Sequence, residues 1–138
     1  MQGAIGIHHL GIAVADLDAA AARYAQLIGA TVDHASESEA LGTRALALRT
    51  PEGPMIELVA PYHDDSPVGR FLAKRGEGMH HVAYEVGDIA AEVARLVGEG
   101  VQMIDEAPRA GLFGLEVAFI HTDAVRGVLL ELVQPGGH

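Results

Sequence analysis

The chain has 138 residues, 49% of them apolar, with 9 Lys and Arg against 19 Asp and Glu and neither cysteine nor tryptophan. That arithmetic suits one domain with a proper hydrophobic core, and a net charge of −10 argues against nucleic acid as a partner, because such binders draw affinity from clustered Lys and Arg. Without cysteine there is no disulfide, thiolate nucleophile or thiolate metal site, so any chemistry falls to histidine, carboxylates and hydroxyls.

Met1 to Leu10 shows no basic region followed by an apolar stretch, and no apolar run approaches the roughly 18 residues of a membrane span. A cytoplasmic protein with no membrane partner is expected. Ile7 to Val14 reads as a strand, and Asp16 can cap a helix from Leu17 to Ile28. Leu17, Ala20, Ala21, Tyr24, Leu27 and Ile28 share one face of that helix, and Gly29 stops it. Short strands are predicted at Thr31 to His34, Thr43 to Arg49 and Met55 to Val59, the last two parted by the turn Pro51-Glu52-Gly53-Pro54. Ser66 at an N-cap, Pro67 at the first helical position and Gly76 past the end frame a short connecting helix. Beyond it come a strand at Met79 to Val86, a helix near Asp88 to Val97, and strands near Val101 to Ile104, Leu115 to Ile120 and Val128 to Val133.

The second series repeats the first. His8-His9-Leu10-Gly11-Ile12-Ala13-Val14-Ala15-Asp16-Leu17 returns as His80-His81-Val82-Ala83-Tyr84-Glu85-Val86-Gly87-Asp88-Ile89, 72 residues later. Ile56-Glu57-Leu58-Val59-Ala60-Pro61 returns as Leu130-Glu131-Leu132-Val133-Gln134-Pro135, 74 residues later. Two matches at nearly one offset indicate a duplicated half-domain, not a solenoid of many short units. The expected organisation is a single domain, 1–138, with a first βαβββ half at 5–61, a linker helix at 62–78 and a second βαβββ half at 79–135.

Alternate residues of a strand share a face, so parity separates the paired histidines. His8 goes with Leu10, Ile12 and Val14, and His80 with Val82, Tyr84 and Val86; this bulky face is expected beneath a helix. His9 goes with Gly11 and Ala13, and His81 with Ala83 and Glu85, where small neighbours leave room. Glu57 and Glu131 each interrupt an apolar strand, and a buried carboxylate costs several kcal/mol unless a cation or strong donor meets it. A lone strand histidine is more often a hydrogen-bonded core residue, and a lone strand glutamate an ion-pair partner. Here both kinds recur together. If a pseudo-twofold relates the halves, His9, His81, Glu57 and Glu131 converge on one point. Two imidazoles and two carboxylates suit a borderline divalent ion such as Co²⁺, Mn²⁺, Ni²⁺, Zn²⁺ or Fe²⁺ and leave up to two octahedral positions for substrate oxygens.

His34, His63, His121 and His138 lack repeat partners and are expected on the surface or in loops, with His121, at a strand end, able to face a pocket. Glu77, Glu99, Asp105 and Glu106 read as solvated turn charges. Arg70, Lys74 and Arg75 form a basic island in an acidic chain; it is either a helix end favoured by the macrodipole or a contact for a phosphorylated substrate tail. No nucleotide loop or nucleophile elbow is present.

With these residues in view, the chain from about His8 to Gln134 resembles the vicinal-oxygen-chelate (glyoxalase/bleomycin-resistance) superfamily, and within it the methylmalonyl-CoA epimerase family. The superfamily's metal pattern falls on His9, Glu57, His81 and Glu131. The stretches that look like the epimerase family are Asp65 to His81, Glu106-Ala107-Pro108-Arg109 and Gly127 to Leu132. The resemblance implies an α+β fold whose tandem βαβββ repeats form a cupped eight-stranded mixed sheet. It also implies one divalent ion, Co²⁺ ahead of Mn²⁺, Ni²⁺ or Zn²⁺, an acyl-CoA substrate and a homodimer. The implied reaction inverts the carbon between a carboxylate and a thioester by 1,1-proton transfer through a metal-stabilised enolate. A carbon acid some ten pK units above its base leaves about 14 kcal/mol to offset, which a Lewis acid can do. Glu57 and Glu131 are then expected to serve as ligands and as the base and acid, with Arg70, Lys74, Arg75, Phe113 and His121 contacting substrate.

The chain departs from the family at three places. Some members carry a second catalytic glutamate in the strand read here as Gly42 to Leu46, where this chain has Ala45; Phe113 stands where a histidine is common; and His121-Thr122-Asp123 lacks the usual Pro-Lys. These differences open the acyl group to others such as ethylmalonyl. The alternatives are a glyoxalase I-type lactoylglutathione lyase, which uses the same ligands, and a metal-free small-molecule or antibiotic-binding protein of the same fold, whose members generally lack the full ligand set. A ring-cleaving dioxygenase fits less well, its iron site being carried on a longer chain.

Overall fold

The computed structural model describes residues 3–136, so Met1, Gln2, Gly137 and His138 lie outside it. In chain order the elements are β1 (Ala4–Ala13), α1 (Leu17–Ile28), β2 (Thr31–Ser38), β3 (Thr43–Arg49), β4 (Met55–Pro61), α2 (Pro67–Arg75), β5 (Gly78–Val86), α3 (Ile89–Gly98), β6 (Arg109–Ala110), β7 (Leu115–Ile120) and β8 (Leu130–Pro135). The eight strands hydrogen-bond in the order β2-β3-β4-β1-β5-β8-β7-β6. β1 runs parallel to β4 and β5 parallel to β8, while β2-β3, β3-β4, β6-β7 and β7-β8 are antiparallel, which makes the sheet mixed.

The chain forms two compact units, one from His9 to His80 and the other from the residues before His9 together with those from His81 onward. In the His9–His80 unit, Val14, Leu48 and Leu58 pack with Ile12 against Leu17, Ala20, Ala21 and Tyr24 of α1. The bulky face of β1 does lie under the helix, as parity requires. Leu27 and Ile28 do not join it: both are over half exposed. Asp16 caps α1 by accepting from the Ala19 amide, and Gly29 closes it at φ +70. Ser66 caps α2 in the same way, accepting from the Gly69 amide at 3.1 Å, with Pro67 at the first helical position. Gly69 admits no side chain, since a Cβ there would stand 2.4 Å from the Asp64 carbonyl oxygen. α2 packs against β4.

In the other unit, Val86, Ile89, Val93, Met103, Ala118, Ile120 and Leu132 form the core beneath α3, with Tyr84 and Leu130 at its margin. Asp88 caps α3 by accepting from the Ala91 amide. Two expectations fail in this unit. Val101 to Ile104 is not a strand. Only Met103 bridges to Ile120, while the Ile104 and Asp105 amides both donate to the Phe119 carbonyl, so no ladder forms; Val101 and Met103 pack into the core beneath α3 and Ile104 is exposed. The edge is taken by the two-residue β6, which sequence reading passed over. β8 begins at Leu130 and not at Val128, because Arg126 and Gly127 turn the chain through positive φ just before it.

Candidate functional site

In the His9–His80 unit, β1 and β4 pair in parallel with Gly11 opposite Glu57, and β3 lies on the far side of β4 with Ala47 opposite Glu57. His9 is 1% exposed and Glu57 7%, and His9 Nε2 stands 3.5 Å from Glu57 Oε2. The floor around this pair is made of Gly11, Ala13, Ala45 and Ala47, all buried. Ala45, opposite Val59, is 1% exposed and offers no titratable group.

The second unit repeats this pairing. β5 and β8 set Ala83 opposite Glu131, and β7 sets Phe119 opposite Glu131 on the other side. His81 is 5% exposed and Glu131 6%, with His81 Nε2 at 3.2 Å from Glu131 Oε1. The Phe119 ring meets His81 edge to face, centroids 5.9 Å apart. Ala83, Leu115, Val117 and Val133 pack on the same side with Phe113 over them. The half-buried Glu85, opposite Val133, adds a further carboxylate to that face. The two halves thus share donors and differ in surroundings, alanines in the first and larger apolar groups in the second.

The donor chemistry can be tested against an ion within each unit. Two donors about 2.1 Å from a common divalent ion lie about 3.0 Å apart at a right angle and about 3.4 Å at a tetrahedral one. The measured 3.5 and 3.2 Å are of that size. His9, His81 and Glu131 are each buried and each offers a ligand atom of metal-binding type, as does the buried Glu57. The residues present fit a borderline divalent ion.

His8 and His80 take the other face and are half-buried, His80 against the Phe71 ring at 4.9 Å. On α2, Arg70 turns back to the Asp65 carbonyl and stands 3.7 Å from the Asp65 carboxylate, Arg75 lies 6.0 Å from the Phe71 ring, and Lys74 is exposed. Phe113 adopts φ 59, a left-handed conformation costly for an aromatic residue, and its ring packs beside Ala83 and Val133. His121 Nδ1 accepts from the Asp123 amide and caps a short 3-10 helix, which occupies one of its ring nitrogens.

Three of the expected turn charges prove not to be merely solvated. Glu77 Oε2 accepts from the Ala15 amide at 2.9 Å and secures the end of β1, and Glu99 pairs with Arg95 at 3.3 Å. Asp105 is largely buried, accepting from the Phe119 amide at 2.9 Å and pairing with Arg109 at 3.0 Å. Phe119, Asp105 and Arg109 belong to the surroundings of His81, and sequence reading missed them in that role. Strand parity on Leu115 to Ile120 already placed Phe119 with Leu115 and Val117 and could have flagged it.

Among known proteins, the model of the Glyoxalase/Bleomycin resistance protein/Dioxygenase superfamily matches residues 8–119. The ethylmalonyl-CoA/methylmalonyl-CoA epimerase of Cereibacter sphaeroides is 37% identical, the match covering 93% of this chain and 96% of the relative. The mitochondrial methylmalonyl-CoA epimerase of Homo sapiens is 36% identical over 93% of this chain and 73% of its own length. A Streptomyces coelicolor methylmalonyl-CoA epimerase variant, solved in complex with 2-nitronate-propionyl-CoA, superposes with a TM-score of 0.93 at 35% identity, covering 98% of this chain and all of the other. The buried imidazole and carboxylate pairs therefore sit in a member of the glyoxalase/bleomycin resistance protein/dioxygenase superfamily.

Proposed function

We propose that this chain is a metal-dependent methylmalonyl-CoA epimerase, an isomerase that moves one proton at the α-carbon of a 2-carboxyacyl-CoA. The observation that carries this reading is the duplicated, buried imidazole and carboxylate pair, His9 with Glu57 and His81 with Glu131, in a chain related over nearly its whole length to enzymes of that name. The four side chains together would hold one divalent ion, with Co²⁺ favoured and Mn²⁺, Ni²⁺ or Zn²⁺ as alternatives. Bound there, the ion supplies positive charge that stabilises the electron pair left on the substrate as the α-proton departs.

The chain's own residues handle the proton. Glu57 Oε2 and Glu131 Oε1 face their imidazoles, and the second oxygen of each, Glu57 Oε1 and Glu131 Oε2, is assigned to take the α-proton from one side and return it on the other. With Ala45 in place of a carboxylate, β3 contributes no base, and Glu57 and Glu131 are assigned as the pair. Gly11, Ala45 and Ala47 keep the surroundings of Glu57 small, and the methyl or ethyl substituent of the acyl group is assigned to that side. Arg70, Lys74 and Arg75 are assigned to the phosphorylated end of the CoA, and Phe113 and His121 to the acyl-thioester. No helix among the described residues is long and apolar enough to cross a membrane. We take the two repeats to work as one domain, in a cytoplasmic homodimer.

The test is proton NMR in deuterium oxide with methylmalonyl-CoA, ethylmalonyl-CoA and the hemithioacetal of methylglyoxal and glutathione, before and after chelation. Exchange of the α-proton of the two acyl-CoAs, lost on chelation and restored by Co²⁺, is expected. Turnover of the hemithioacetal alone, or exchange indifferent to chelation, overturns the reading.

A further inference from the structure

We propose that Arg109 binds an anionic oxygen of the substrate, either the acyl carboxylate or a phosphate of the CoA. The proposal rests on the epimerase reading for the identity of the ligand, and on the following geometry for the residue. β6 pairs with β7 so that Arg109 lies opposite Val117, and directly paired residues project to one side of a sheet. Val117 belongs to the face that carries Ala83 and Val133, and Phe119, two residues on, is opposite Glu131. Arg109 is therefore on the face of His81 and Glu131, at the edge strand, with β7 between it and the strand of Glu131.

Its side chain is anchored in a defined direction. Arg109 Nε donates to Asp105 Oδ1 at 3.0 Å, and Asp105 is itself held because its other oxygen accepts from the Phe119 amide. The guanidinium carbon stands 5.8 Å from the centre of the Phe119 ring, whose edge-to-face partner is His81. This leaves the terminal N–H donors of the guanidinium outside any hydrogen bond among the described residues, on a side chain 41% exposed. A planar fork held by one nitrogen beside a ring presents its remaining donors in the geometry that carboxylates and phosphates accept. In a chain of net charge −10, an anionic substrate is repelled unless fixed cations stand near its path.

The experiment measures binding apart from turnover. Wild type, R109A, R109Q and R109K are titrated calorimetrically with coenzyme A, which has phosphates and no carboxylate, and with methylmalonate, which has carboxylates and no phosphate. α-Proton exchange is followed in parallel on methylmalonyl-CoA and on the N-acetylcysteamine thioester of methylmalonate. R109A and R109Q are expected to weaken one probe by about ten- to hundredfold, the range of a charge-assisted hydrogen bond, with R109K intermediate. R109Q keeps most of the packing on Phe119 and serves if R109A does not fold. A loss on coenzyme A alone, with the truncated thioester unaffected, assigns the phosphate; a loss on methylmalonate and on both thioesters assigns the carboxylate. Unchanged affinity for both probes in R109Q overturns the proposal. Weakened binding in a wild-type background that exchanges no α-proton would leave Arg109 standing and remove the epimerase reading instead.

Discussion

Replacing Glu57 or Glu131 by glutamine tests the assignment of two proton-transfer groups more sharply than loss of activity alone. Glutamine keeps the volume of each side chain, both of which are over nine-tenths buried, so packing is preserved while the group that can carry a proton is removed. One oxygen of each carboxylate faces an imidazole, at 3.5 Å for Glu57 and 3.2 Å for Glu131, and each substitution removes one carboxylate from the site. General acid–base catalysis is worth about 10²- to 10⁴-fold, or roughly 3 to 5 kcal/mol of barrier. Epimerisation needs both groups and should fall by that factor in Glu57→Gln and in Glu131→Gln alike. Exchange needs only the group facing the proton of the epimer supplied. Each variant should then still wash deuterium into one epimer of methylmalonyl-CoA, without inverting it, and the two variants should prefer opposite epimers. Proton NMR on the separate epimers, with metal content measured on the same samples, reads this out. If both variants hold metal and exchange both epimers at the wild-type rate, neither glutamate is a base. If each slows both epimers equally with metal retained, the two-sided assignment is wrong.

Chelation should abolish exchange, and readdition of Co²⁺ should restore it; elemental analysis of protein purified without added metal checks that an ion is acquired at all. Ser66→Ala removes the acceptor for the Gly69 amide at a buried N-cap and should cost about 1 to 2 kcal/mol in urea unfolding, whereas no loss would refute the capping role. Glu92, buried and hydrogen-bonded first of all to Arg95, with the Gly3 amide as a further donor, has its carboxyl held below the usual carboxylate range. Its folded state binds the proton less readily than its unfolded state, so the stabilisation is complete above the ordinary glutamate range and is lost as pH falls through the lowered value. Unfolding free energies measured from pH 7 down to pH 3 should decline less steeply for Glu92→Gln than for wild type. Equal slopes would show that the pair contributes nothing.

What the sequence alone determined was local or repeated. The 72- and 74-residue offsets, the period-2 parity that put His9 and His81 on the face opposite the helices, and the caps at Asp16, Ser66 and Asp88 all follow from side-chain chemistry a few residues apart. Such features are written in the chain because strand pleat and helix capping are set by neighbours. What the tertiary structure decided involves strand partners distant in sequence. An apolar run at Val101 to Ile104 could be a strand or a connection, and only the position of Phe119, whose carbonyl collects the Ile104 and Asp105 amides, settles which. Leu27 and Ile28 match the helix period and are still exposed, since the pattern states which face is apolar and not what packs against it. Asp105 reads as a turn charge, and Arg109 has no assigned contact, until β6 settles against β7, because a loop's polar groups gain meaning only from the strand that folds alongside them.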